Sequence, residues 1–202
     1  MLVSLLSHSP QPEACSTKKQ MAVIELTTQI NAPVERVFDL ARSIDAHTAS
    51  TSQTKERAVA GRTSGLMEQN ETVTWEATHF GVKQKLTVRM TIVERPEVFE
   101  DEMIDGAFSK MKHTHRFKEK EDGTQMSDRF EFKAPLGILG RLVEKIFLTN
   151  YMKAFLIKRN EELKRMAESD LWKQFLSKQA ETSGLAAPST EAVATTSGST
   201  KK

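Results

Sequence analysis

The chain has 202 residues, enough for one domain with a core and flanking tails, and its formal net charge of +2 gives no general case for a nucleic-acid or acidic-surface partner. A single cysteine, Cys15, excludes an internal disulfide framework and fits a reducing compartment, and no apolar run approaches the length of a membrane span. Residues 1–20 open on a mildly apolar stretch without a basic flank or a convincing cleavage site. They are therefore expected to be an N-terminal extension of a cytoplasmic protein, not a signal peptide, with Met21 as an alternative start.

Residues 23–30 are rich in β-prone side chains and predict the first strand. Ala32-Pro33 follows, and proline suits a first helical turn while Glu35 suits the positive end of a helix dipole. Val34, Val37, Phe38 and Ala41 then recur at helical spacing. A second short helix or turn is expected over 44–50, and a weak edge strand over 55–61.

From there the pattern is a meander of alternating segments. Residues 71–80 place Val73, Trp75, Ala77 and His79 on one face, and His79-Phe80-Gly81 closes the segment. Residues 83–94 place Leu86, Val88, Met90 and Ile92 inward, before an Arg95-Pro96-Glu97 turn. Residues 98–105 place Phe99, Asp101 and Met103 together, with Gly106 breaking or bulging the ladder. Residues 109–120 alternate Met111, His113, His115 and Phe117 against Lys112, Thr114, Arg116 and Lys118. The second set is expected in water, so the two histidines face inward. Asp122-Gly123 predicts a hairpin, and residues 124–133 align Met126, Asp128, Phe130 and Phe132.

Ala134-Pro135-Leu136-Gly137 ends the sheet. A long amphipathic helix over 139–168 carries an apolar stripe of Leu142, Val143, Ile146, Phe147, Phe155, Leu156 and Leu163. Its Lys145, Lys153, Lys158, Arg159, Lys164 and Arg165 read as a solvated face interspersed with glutamates. A short helical extension is expected over 169–179, and a disordered Ala/Ser/Thr/Gly-rich tail over 180–202. The order is β-α-α-β6-α, an α+β chain whose curved antiparallel sheet has one partner large enough to cover its inner face, the long C-terminal helix. A gap between such a sheet and helix is a natural place for a ligand.

Several stretches resemble the SRPBCC superfamily of START, Bet v 1 and polyketide cyclase/dehydrase proteins. They are Ile30-x-Ala32-Pro33-x-Glu35-x-Val37-Phe38-Asp39-Leu40, Ile44-Asp45-x-His47, Thr74-Trp75-x-Ala77-x-His79-Phe80-Gly81 and Phe99-x-Asp101-x-Met103-x-x-Gly106-x-Phe108. His113-x-His115-x-Phe117, Pro135-Leu136-Gly137-x-Leu139-Gly140 and Arg159-Asn160 complete the set, which spans residues 23–168. The resemblance implies a helix-grip fold over residues 21–168, with a cavity for hydrophobic or amphipathic small molecules. It transfers no catalytic residue, because the cyclase/dehydrase label is often a name without a demonstrated activity.

The candidate cavity residues are Trp75, His79, Met90, Phe99, Asp101, Met103, His113, His115, Phe130 and Phe132. The two strand histidines, with His79 and Asp101, admit four readings: locally satisfied polar groups, anchors for a ligand head group, metal ligands, or acid–base groups. An inward Asp101 needs a partner, and a nearby histidine is the economical one. Asp128 is expected near the hairpin end, in water. Pro135–Gly140 reads as a tight turn, or else as a lid. No second signature supports a metal, so neither metal nor cofactor is expected. The expected function is binding of a small hydrophobic or amphipathic molecule, without nucleic-acid or integral membrane association. The alternatives are a cyclase/dehydratase-type enzyme acting on a polyketide-like or aromatic substrate, using His113 or His115 as acid–base with Asp101 as orienter, and, as the cell-division-inhibitor label of some members of the resembled family implies, an interaction protein linked to cell division.

Overall fold

The computed structural model describes residues 21–134 and 147–176. Seven strands form one antiparallel sheet: β1 (Ala22–Ile30), β2 (Arg57–Gly61), β3 (Thr72–His79), β4 (Val82–Glu94), β5 (Val98–Gly106), β6 (Lys110–Lys120) and β7 (Gly123–Lys133). Their order across the sheet is β1-β7-β6-β5-β4-β3-β2, so five hairpins run consecutively and β1 closes on β7. Two short helices, α1 (Val34–Ala41) and α2 (Ile44–Ser50), follow β1. The long helix α3 (Thr149–Glu168) lies across the concave face, and α4 (Trp172–Leu176) follows it.

Local chemistry accounts for the turns. The β3–β4 hairpin turns through Phe80 and Gly81, both at positive φ (54° and 76°), as a two-residue turn of primed type requires. At the start of β7, Gly123 passes so close to β1 that a Cβ would lie 2.3 Å from the Ile30 carbonyl oxygen. Ser43 caps α2 by accepting from the Ala46 amide.

The inward faces and the α3 stripe make one core. Phe38 is fully buried at its centre and meets Phe99 and Phe117 edge-on at ring-centroid distances of 5.5 and 5.2 Å. From α3, Leu156, Leu163, Met166 and Ala167 are buried against it. Lys164 donates to the Gln29 carbonyl, the Asn31 amide donates to Glu168, and Arg36 donates to the Ala167 carbonyl and stacks over Trp172. These contacts lock the end of the helix onto β1 and α1.

The architecture is the expected helix grip, with four corrections of detail. Ile92 does not face the core: Thr91 is an extra residue opposite β5, so the phase slips and Val93 pairs with Phe99 and packs inward. The β5 bulge falls at Ile104, two residues before Gly106. The outer face of β6 is not wholly in water, because Thr114 is buried and donates to Glu100, which also pairs with Lys112 and accepts from Thr91. Arg159 is buried and does not belong to a solvated helix face. Cys15, the 1–20 extension, the Pro135–Gly140 lid reading, the stripe residues Leu142, Val143 and Ile146, and the 180–202 tail lie outside the described residues.

Candidate functional site

Between the concave face and α3 lies a cavity of about 280 Å³. Its walls are mainly apolar: Val73, Trp75 and Ala77 from β3, Leu86, Val88 and Met90 from β4, Phe99 from β5, Met111 from β6, Phe130 from β7, and Met152, Phe155 and Leu156 from α3. Eight of the ten residues expected from the sequence line it: Trp75, His79, Met90, Phe99, Asp101, His113, His115 and Phe130. Met103 packs against the core without reaching the cavity lining. Phe132 is fully buried beside Phe108 and Phe130 and does not reach it either.

The polar groups fall into two clusters. The deeper one is built by strand register. His115 stands directly opposite Asp128 across the β6–β7 ladder, and His113 stands directly opposite Asp101 across β5–β6. His115 Nδ1 lies 2.7 Å from Asp128 Oδ1, although not aligned as a hydrogen bond, and His113 Nε2 lies 3.1 Å from the same oxygen. From α3, Asn160 donates to the other carboxylate oxygen at 2.6 Å, and Arg159 stands 3.9 Å from Oδ1. The imidazoles are 3.8 Å apart between centroids, and His115 stacks on Phe99. Asp128 is 3% exposed and sits at the centre of this cluster, which overturns its expected place in water.

Burial by itself would raise the Asp128 carboxyl, but His115 and His113 outweigh it and hold the group well below the usual carboxylate range. Burial, reinforced by the neighbouring His113, pushes the His115 imidazole down to about 3, so at neutral pH it is uncharged. Asp101 lines the cavity and lacks the pairings that anchor Asp128. Burial raises its carboxyl, only partly offset by His113 and Arg159.

His79 does not join this group. Its Nδ1 lies 2.7 Å from the Tyr151 hydroxyl, and Phe155 packs edge-on against its ring. Burial lowers its imidazole. Nearby, His47 stacks on Trp75 and stands 3.3 Å from Glu56. Burial would raise the Glu56 carboxyl, but His47 draws it below its ordinary value. Phe80, exposed at the β3–β4 turn, lies against Tyr151 and Phe147 at centroid distances of 4.4 and 5.2 Å. The cavity thus has one polar group at Asp101, His113 and Arg159, another at His79, Tyr151, His47 and Glu56, and apolar walls.

Tyr151, Arg159, Asn160, His47 and Glu56 are absent from the expected set. The helix residues carried a readable signal, because Met152, Leu156, Arg159, Asn160 and Leu163 share one stripe at steps of three and four. His47 and Glu56 carried none, since short helices and loops offer no phase to read.

Residues 21–168 match the family model described as "Polyketide cyclase / dehydrase and lipid transport". No curated protein matches the chain. Among solved structures, a Staphylococcus aureus protein of unknown function is similar, with a TM-score of 0.59 at 11% identity, over 76% of this chain and 97% of its own. A START superfamily protein from Mycobacterium smegmatis has a TM-score of 0.56 at 13% identity, over 72% of this chain and 97% of its own. Ginseng major latex-like protein 151 from Panax ginseng has a TM-score of 0.57 at 10% identity, over 74% of this chain and 99% of its own. At these identities the likeness is one of fold. No helix among the described residues is long and apolar enough to cross a membrane.

Proposed function

Because the chain belongs to the polyketide cyclase/dehydrase and lipid transport family, we propose that it binds a small hydrophobic or amphipathic molecule between the sheet and α3. The observation that carries this reading is the cavity itself: about 280 Å³, walled by aliphatic and aromatic side chains, with a few polar groups at defined places. Small-molecule sites combine these features, typically in volumes of roughly 300–1,000 Å³. A cavity at the lower edge of that range suits a single ring system or a short chain better than a bulky two-tailed lipid. Asp101, His113 and Arg159 supply donors and acceptors for one polar end, and His79 with Tyr151 for another.

Trp75 lines the cavity, whereas Trp172 stacks on Arg36 outside it. Trp172→Phe therefore leaves Trp75 as the sole indole reporter. Titration of chelator-treated Trp172→Phe protein with ring-containing acids, phenols and short-chain fatty acids is expected to give saturable quenching and a raised thermal midpoint for at least one class. Native mass spectrometry that finds no ligand retained, together with flat titrations across all three classes, would sink the reading.

One observation favours an enzyme as second reading: a cavity-facing carboxyl raised by burial, Asp101, beside His113 and an uncharged His115. A carboxyl raised in this way is a candidate to exchange a proton with a bound substrate. A cyclase or dehydratase activity that survives Asp101→Asn unchanged would exclude that role.

A further inference from the structure

We propose that Asp101, His113 and His115 form a binding site for one divalent transition-metal ion at the polar end of the cavity. One potential ligand atom from each residue lies within 4.8 Å of the others, and all three line the same cavity. Two adjacent strands fix this meeting, because Asp101 pairs with His113 across β5–β6 and His115 follows two residues along the same face.

The stronger argument lies behind the histidines. Asp128 Oδ1 faces a ring nitrogen of each, His113 Nε2 at 3.1 Å and His115 Nδ1 at 2.7 Å. A carboxylate only accepts, so the His113 nitrogen hydrogen-bonded to it carries the hydrogen; a hydrogen on His115 Nδ1 likewise avoids setting two lone pairs against each other at 2.7 Å, although that contact is not aligned as a hydrogen bond. In an imidazole that carries one hydrogen, the other nitrogen then offers the lone pair. Metal-binding histidines are oriented this way in general, with the far N–H given to a carboxylate. Here one carboxylate serves both rings, and Asn160 holds its second oxygen at 2.6 Å.

The donor set of two imidazole nitrogens and one carboxylate oxygen suits Zn²⁺, Fe²⁺ or Co²⁺ better than oxygen-seeking Mg²⁺ or Ca²⁺. Bonds of ~2.0–2.1 Å place donors ~3.3 Å apart, so the side chains must close by up to ~1.5 Å. Asp128 is held by His113 and Asn160, whereas Asp101 lacks those pairings. Two imidazoles and one carboxylate leave further coordination positions. Those would face the cavity, where a polar ligand group or a water could occupy them.

The inference stands apart from the proposed hydrophobic ligand, which is tested on chelator-treated protein. The test here is titration of the full, chelator-treated chain with Co²⁺, read by visible d–d absorption, and equilibrium dialysis with Zn²⁺. The expected result is one ion per chain bound at micromolar concentration or tighter. Asp101→Asn is expected to keep the fold by circular dichroism and weaken binding at least tenfold. Asp128→Asn, which removes the shared orienting group, is expected to weaken it ~10–100-fold while retaining the Co²⁺ spectrum at saturation. No binding below millimolar ion, or binding that Asp101→Asn leaves undiminished, would overturn the proposal.

Discussion

Replacing Asp128 by alanine tests the physical account of the deeper cluster most directly. Asp128 is 3% exposed and faces His115 at 2.7 Å, His113 at 3.1 Å and Asn160 at 2.6 Å. Alanine removes the hydrogen-bond partner of His113 Nε2 and the carboxylate oxygen facing His115 Nδ1 in a buried setting, at about 1–3 kcal/mol each. Asn160 loses less, because its amide also donates to Thr28 at 3.3 Å. The two imidazole terms sum to about 2–6 kcal/mol, so a loss near 4 kcal/mol is expected. For a domain of roughly 150 residues this lowers Tm by about 8–16 °C. The assay is urea and thermal unfolding followed by circular dichroism. Asp101→Ala, on β5 with β6 between it and Asp128 and without those pairings, is expected to change stability by less than about 1 kcal/mol, because no buried donor depends on it. In the Asp128→Ala background, Asn160→Ala is expected to cost clearly less than it does alone, since one network is lost once. The reasoning fails if Asp128→Ala costs under about 1 kcal/mol, or if the two aspartates cost the same.

Phe38→Ala is expected to destabilise by about 3–5 kcal/mol, because its ring is fully buried between Phe99 and Phe117; a Tm within a few degrees of wild type would contradict that packing. Ala77→Phe pushes a ring into the cavity from β3 and is expected to reduce ligand-induced Trp75 quenching at least tenfold while the chain stays folded; undiminished quenching would mean that the ligand sits elsewhere. Glu56 has its carboxyl lowered in the folded state, against the pull of burial, by His47. The unfolded chain therefore takes up a proton there first, and the stabilisation is present above roughly pH 4.3 and lost as pH falls through the folded value. Glu56→Gln is accordingly expected to flatten the acid limb of the stability profile, and an unchanged limb would show that the pair contributes nothing.

Much of the fold was legible because its signals are local. Strict alternation in 111–117 and 126–132 identified strands and their inward faces, and Asp122-Gly123 marked the hairpin between them. Alternation failed where pairing is not one-to-one. Thr91 has no opposite number on β5, so every phase beyond it reverses, and no property of residues 90–93 announces that. Asp128 was misplaced for a different reason. Its phase beside Met126 and Phe130 pointed inward, but a charged side chain six residues from a turn reads as solvated until a partner is known. The partners are two histidines on β6 and an asparagine on α3, 32 residues away.

The sequence by itself determined which side chains face inward, including His113, His115 and Asp101, because side-chain direction along a strand follows the backbone period of two. It also determined the order of elements, and with it the helix grip. Only the tertiary structure decided which inward groups meet. Register set His115 opposite Asp128 and His113 opposite Asp101, docking of α3 brought Asn160 and Arg159 to the same carboxylate, and the β3–β4 hairpin carried His79 away to Tyr151. Those meetings join residues far apart in the chain, and they are fixed by how a whole sheet closes on a helix, which no local period encodes.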